Sequence, residues 1–221
     1  MSCFELRKGE TLLKSRYACR IAAGCVDAVA WTGLAVQIAV SFHLCGSVSA
    51  TLWIVFAYFT IWTNLLVAVV FTALATNLTS LRSNWIVAGT MLSILLVGAI
   101  YALLLHGLTE LSGGSAVANV LLHMATPILV PLFCIFFAPT GDLTHRDPLR
   151  WAVYPLACLA YALARGTATG QYPYPFLNVV RLGWQQTFIN SVLIAAGFLL
   201  AGFAIVWIDN RIDRHPPAPL N

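Results

Sequence analysis

Charge is what this chain has least of. Asp, Glu, Lys and Arg make up only 9% of its 221 residues, against about 25% in an ordinary soluble domain. No two of its six cysteines have CxxC spacing, and most fall in or beside apolar stretches, so none is assigned a redox or metal role. HExxH, GxSxG and paired-carboxylate motifs are missing as well, which removes the common hydrolase signatures. There is no internal repeat, and this weighs against an inverted-repeat transporter. No polar segment approaches the roughly 50 residues of a small independent domain. A soluble catalytic module, a nucleotide-binding domain and nucleic-acid recognition by a fold with its own core are thereby excluded.

What the chain does have is apolar length: 60% of its residues are hydrophobic and its mean hydropathy is +0.83. Six apolar stretches, 19–42, 50–76, 84–106, 116–138, 151–168 and 184–208, lie near the about 20 residues that a spanning helix needs. They predict an all-α polytopic membrane protein. Its six-transmembrane-helix bundle occupies 19–208, between an N-terminal segment 1–18 and a tail 209–221.

The basic residues orient the bundle, because cytoplasmic segments carry the excess of Lys and Arg. Arg7, Lys8, Lys14, Arg16, Arg20, Arg82, Arg146, Arg150, Arg211 and Arg214 fall on one side, and Arg165 and Arg181 on the other. Both termini are therefore expected in the cytoplasm of a multi-pass cell-membrane protein. The apolar run from Ile21 to Leu44 is too long for a signal-peptide core, despite the small residues Val48-Ser49-Ala50 after it. Asn77-Leu78-Thr79 fits a glycosylation acceptor but sits in a loop expected to face the cytoplasm, where the match has no use.

Polar side chains inside spans cost free energy without a partner, so they carry the most information. They are Asp27 in the first span, Thr60, Thr63 and Asn64 in the second, His123 and Thr126 in the fourth, and Gln185, Gln186, Asn190 and Ser191 in the sixth. At 1.5 Å per residue, Thr60 lies about 15 Å, His123 about 10 Å and Asn190 about 9 Å below the outer ends of their helices, within reach of one cavity. Asp27 and Asn64, both about 20 Å down, form a deeper layer. Arg165 stands just above the first layer, where it reaches inward or snorkels out. Helical spacing puts Thr60, Thr63 and Asn64 on one face, and His123 and Thr126 on another. The plain alternative is interhelical hydrogen bonding by Ser, Thr and Asn.

His43 and His106 fall at helix ends and take a structural role, while His145 and His215 belong to no constellation. A haem or metal site ranks lowest, because the histidines show no i, i+4 pairing. No metal or other cofactor is expected. After the fifth stretch, Tyr172-Pro173-Tyr174-Pro175-Phe176 cannot continue a helix and is expected to cap the outer mouth, with its aromatics at headgroup level. Pro127, Pro131 and Pro155 kink the fourth and fifth helices.

Four strings occur in order: Tyr58-Phe59-Thr60-Ile61-Trp62-Thr63-Asn64-Leu65-Leu66-Val67; His123-Met124-Ala125-Thr126-Pro127; Tyr154-Pro155-Leu156-Ala157 with Tyr161 and Arg165-Gly166; and Tyr172-Pro173-Tyr174-Pro175-Phe176. Over nearly its whole length the chain resembles a bacterial six-pass integral membrane protein family with this signature. That family often has an acidic residue after the kinked fourth helix, where Phe133-Cys134 stands here, so one polar partner is missing. More remotely, the chain is similar to the androgen-induced membrane threonine hydrolases, which cleave fatty acid esters of hydroxy fatty acids. That resemblance implies a catalytic Thr and His at Thr60 and His123, with Thr63 as the rival threonine.

The expected chemistry is a Thr hydroxyl activated by a neighbouring imidazole about 3 Å away. Asn64, Asn190 or Gln186 would orient the ring or donate to an oxyanion, and Arg165 would hold a fatty-acid carboxylate. The partners are then membrane lipids and a lipid ester, with no nucleic acid; the oligomeric state stays open. The alternative is a small-solute or proton transporter lined by Asp27, Asn64, Thr60, His123 and Arg165. A continuous polar path through Asp27 favours transport, and a cavity closed below Thr60 favours the enzyme.

Overall fold

The computed structural model describes residues 3–76, 83–108 and 110–212, with side chains from Arg16 onward. The side chains of Arg7, Lys8 and Lys14, and Arg82, Arg214, His215 and the Asn77-Leu78-Thr79 match, therefore lie outside what it describes. The described residues form helices and connections, with no strand among them. In chain order the helices are α1 (Cys3–Cys45), α2 (Val48–Val55), α3 (Phe59–Thr76), α4 (Asn84–Ile100), α5 (Gly113–Val120), α6 (Thr126–Phe137), α7 (Asp147–Thr169) and α8 (Val179–Arg211). A π-helical turn, Tyr101–Leu105, extends α4, and a second, Leu121–Ala125, joins α5 to α6 in one run.

Five runs are long and apolar enough to cross a membrane: Arg16–Cys45, Phe59–Thr76, Asn84–Leu105, Gly113–Phe137 and Val179–Arg211. At 23 residues α7 is long enough too, but Tyr154, Pro155, Tyr161 and Arg165 dilute its hydropathy. Polar caps set several boundaries. Ser47 and Ser83 accept from Ala50 and Ile86 N–H at the starts of α2 and α4, and Gly170 ends α7 in the left-handed conformation at φ 72°. The sixth apolar stretch begins where Gly183, at φ 74°, breaks the helical geometry of α8.

One expectation fails locally. The stretch 50–76 is not a single helix but two, α2 and α3, parted at 56–58 with no Pro or Gly present. Tertiary partners hold this break open. The Phe56 carbonyl accepts from the Trp62 indole at 2.9 Å, and Phe59 N–H donates to the Tyr174 hydroxyl at 2.9 Å. Thr60 thus lies in the first turn of a helix and not in the middle of one.

The core sits among α1, α3, α4 and α6, where Val26, Ala30, Val67, Phe71, Val97 and Val130 are buried. Small residues let these helices approach: a Cβ on Gly33 would lie 2.6 Å from Leu122, and one on Gly98 would lie 2.7 Å from Pro127. A smaller cluster, including Leu92, Trp151, Phe198 and Val206, joins α7 and α8 to α4. At one end of the bundle, buried Asp209 accepts from Gly141 and Leu143 N–H at 3.0 Å each and ties the α6–α7 connection to α8. The opposite end carries the residues of interest.

Candidate functional site

Thr60 is only 6% exposed, and its Oγ1 lies 3.2 Å from His123 Nε2. Two distortions bring the pair together. The α2–α3 break sets Thr60 at the start of α3, and the π-turn Leu121–Ala125 carries His123. Pro127 has no N–H for the His123 carbonyl, so an α-helical bond is impossible at that point. The wider turn also leaves the Leu122 carbonyl to side-chain donors, Asn64 Nδ2 at 3.1 Å and Thr126 Oγ1 at 3.2 Å.

Asn64 is wholly occupied in this way. Its amide also donates to the Thr60 carbonyl at 2.9 Å, and its oxygen accepts from Thr126 Oγ1 at 2.7 Å. It ties the turn bearing Thr60 to the turn bearing His123 and has no amide proton left for a ligand. Thr63 is buried but faces elsewhere, with Oγ1 3.2 Å from Tyr154 Oη on α7. Of the two threonines, Thr60 is the one beside the imidazole.

The His123 ring packs on Tyr101, with centroids 4.9 Å apart and planes 33° apart, and Tyr101 comes from the other π-turn. Asn119 Nδ2 donates to Tyr101 Oη at 2.7 Å and fixes that ring in turn. His123 Nδ1 is buried without a hydrogen-bond partner.

The Tyr172–Phe176 segment closes this end. The Tyr174 ring stacks on Phe176 at 5.2 Å and meets Tyr58 edge-on at 5.8 Å. Its hydroxyl sits at the N-terminus of α3, where N–H groups have no partner within the helix. Burial pushes the Tyr174 phenol up to about 12, so it keeps its proton at physiological pH.

Two cavities meet at this point, and Thr60, Tyr174 and Leu105 line both. One, of about 140 Å³, is an apolar slot between α3, α4, α7 and α8, walled by Val97, Ile100, Leu159, Ile194 and Phe198. The other, of about 440 Å³, holds His123, Tyr101 and Asn119 together with Gln37 and Ser41 of α1. Neither is lined by Asp27. That carboxylate accepts from Thr72 Oγ1 at 2.6 Å and is parted from Thr60 by buried Val67, Ala68 and Phe71.

Three of the polar residues expected beside the pair stand apart from it. Arg165 donates to the Trp53 carbonyl and to Tyr161 Oη and lies 4.1 Å over the Trp53 ring, lining neither cavity. Gln186 donates to Asn190, and Asn190 donates to the Phe176 carbonyl at 2.9 Å, so both pin the cap to α8. Their helix face carries them to the cap. Conversely, Tyr101, Asn119, Gln37 and Ser41 were not singled out from sequence, and Tyr174 was read only as an aromatic of the outer cap. Gln37 and Ser41, like Asn119 and His123, are i, i+4 pairs in apolar stretches, and that spacing was the available signal. No family model, curated protein or solved structure matches the chain.

Proposed function

We propose that the chain is a membrane-embedded hydrolase of fatty acyl esters, with Thr60 as nucleophile and His123 as base. The observation that carries this reading is the 3.2 Å Thr60–His123 contact on the wall between an apolar and a polar cavity. That distance is at the long end of the about 2.6–3.2 Å expected of a nucleophile and its base before substrate tightens the site. The reading requires a neutral imidazole with its proton on Nδ1, leaving Nε2 to accept from Thr60.

Thr60 attacks the ester carbonyl and passes its proton to His123, and the departing alkoxide takes that proton away. Water then releases the fatty acid from the acyl-threonine. The developing oxyanion would form beside the N-terminus of α3, where the Tyr174 hydroxyl accepts from Phe59 N–H and has its own proton to give. The apolar slot takes the acyl chain. With α7 counted as a sixth crossing, both termini fall on the cytoplasmic side and the site opens toward the outer leaflet of the cell membrane, whose lipids supply the substrate. The buried apolar layer between Thr60 and Asp27 speaks for a closed cavity and against the transport alternative.

The test is labelling of the purified protein with a fluorophosphonate probe. Labelling is expected in wild type and in Thr63→Ala, and its loss in Thr60→Ala and His123→Ala. Absence of labelling in wild type, together with no turnover of any lipid ester, overturns the proposal.

A further inference from the structure

We infer that the alcohol part of the ester cleaved at Thr60 is a neutral, hydroxyl-bearing group such as glycerol, and that esters carrying a free carboxylate are poor substrates. This rests on the hydrolase reading above and concerns the cavity on the His123 side. Among the described residues, its polar lining is Thr60 and Tyr174 on the shared wall with Gln37, Ser41, Tyr58, Tyr101, Asn119 and His123, and includes no Lys, Arg, Asp or Glu. A carboxylate lodged there would lose its hydration and meet no cation. Arg165, the residue that sequence offered for that role, is held on Trp53 and Tyr161.

The spare hydrogen-bonding groups point the same way. Gln37 Nε2 donates to Ser41 Oγ at 3.0 Å, which leaves the Gln37 carbonyl as an acceptor and the Ser41 hydroxyl proton as a donor. Asn119 Nδ2 donates to Tyr101 Oη at 2.7 Å, which leaves the Asn119 side-chain oxygen as an acceptor and the Tyr101 proton as a donor. Each pair thus sets a carbonyl acceptor beside two donors, the hydroxyl proton and the second amide N–H. A polyol, whose hydroxyls both give and accept, uses both kinds of group, whereas a carboxylate only accepts and would leave the two carbonyl oxygens unpaired. The cavity of about 440 Å³ is large enough for a small polyol. In the first half-reaction the C–O bond to this alcohol breaks, its oxygen takes the proton held on His123, and the free alcohol is left in the polar cavity. The acyl group stays on Thr60 with its chain in the apolar slot.

The experiment measures fatty-acid release by the purified full chain from three esters with the same acyl chain. They are a monoacylglycerol, an ester of a hydroxy fatty acid, and the methyl ester of the latter, in which the carboxylate is capped. An activated nitrophenyl ester serves as a control. The expected result is a kcat/KM for the monoacylglycerol at least about tenfold above that for the free acid, with capping recovering most of the difference. Gln37→Arg, which places a cation in the cavity, should narrow that ratio. Equal or better turnover of the free-carboxylate ester overturns the inference and leaves the hydrolase reading standing. If not even the nitrophenyl ester is cleaved, the hydrolase reading fails, and the inference with it.

Discussion

The two cavities that meet at Thr60 share a wall but are made by different means. The polar one is built from irregular backbone: π-turns at Tyr101–Leu105 and Leu121–Ala125 turn Tyr101 and His123 toward Gln37 and Ser41 of α1. The apolar one is a gap between regular helices, left where α7 and α8 pack on α4 through a small cluster instead of joining the main core. Chemistry and containment are thus separate problems here. Placing a nucleophile beside a base took local departures from the α-helix, each satisfied by a side chain such as Asn64 or Trp62. Room for a chain took only loose packing of an outer helix pair.

The largest effect should come from breaking the shared wall. Thr60→Ala and His123→Ala are each expected to lower kcat/KM for ester cleavage by about 10³-fold or more, as removal of a nucleophile or its base does. Thr63→Ala should stay within about tenfold of wild type, because it loses only the bond to Tyr154. Fatty-acid release, with thermal unfolding as a check on folding, separates these outcomes. Next, Tyr174→Phe keeps the stacked ring and removes the hydroxyl at the α3 N-terminus. Its kcat should fall by about 10²-fold with KM little changed, the effect of losing one oxyanion donor.

On the apolar side alone, Ala195→Phe fills the slot that Ala195 lines. Long-chain esters should lose about tenfold in kcat/KM relative to short-chain ones, the scale on which hydrophobic pockets discriminate. A chain-length profile that does not move would detach this cavity from the reaction. The smallest effect is expected at Arg165→Gln, which forfeits a cation–π contact outside both cavities. Stability should drop by about 1 kcal/mol in thermal unfolding, with turnover of neutral and carboxylate esters alike unchanged. A selective loss of the carboxylate ester would return Arg165 to the site.

The Thr60–His123 pair was reachable from sequence because both are polar residues in apolar stretches. Asn64 and Thr126 were legible as polar neighbours, but not as the clamp that joins the two turns. Depth along a helix follows from counting residues, whereas the direction of a side chain depends on helix rotation and on breaks that neighbours impose. Asn190 and Gln186 were expected beside the pair and serve the cap instead. Arg165 was expected to reach inward or snorkel, and Trp53 offers its guanidinium a ring face and a carbonyl.

Composition and apolar run length by themselves determined that this chain is helical, rich in helices long enough to cross a membrane, and without room for a soluble domain. Those properties follow from hydrophobicity and backbone hydrogen bonding summed along a segment, which need no knowledge of neighbours. Tertiary structure alone decided that the second apolar stretch breaks before Thr60, since the partners holding that break open, Trp62 for one carbonyl and Tyr174 for one N–H, arrive through folding. It also decided that Thr60 and not Thr63 faces the imidazole, and that no charged side chain among the described residues lines the cavity beside it. Contacts between residues far apart in the chain set these features, and no local pattern encodes them.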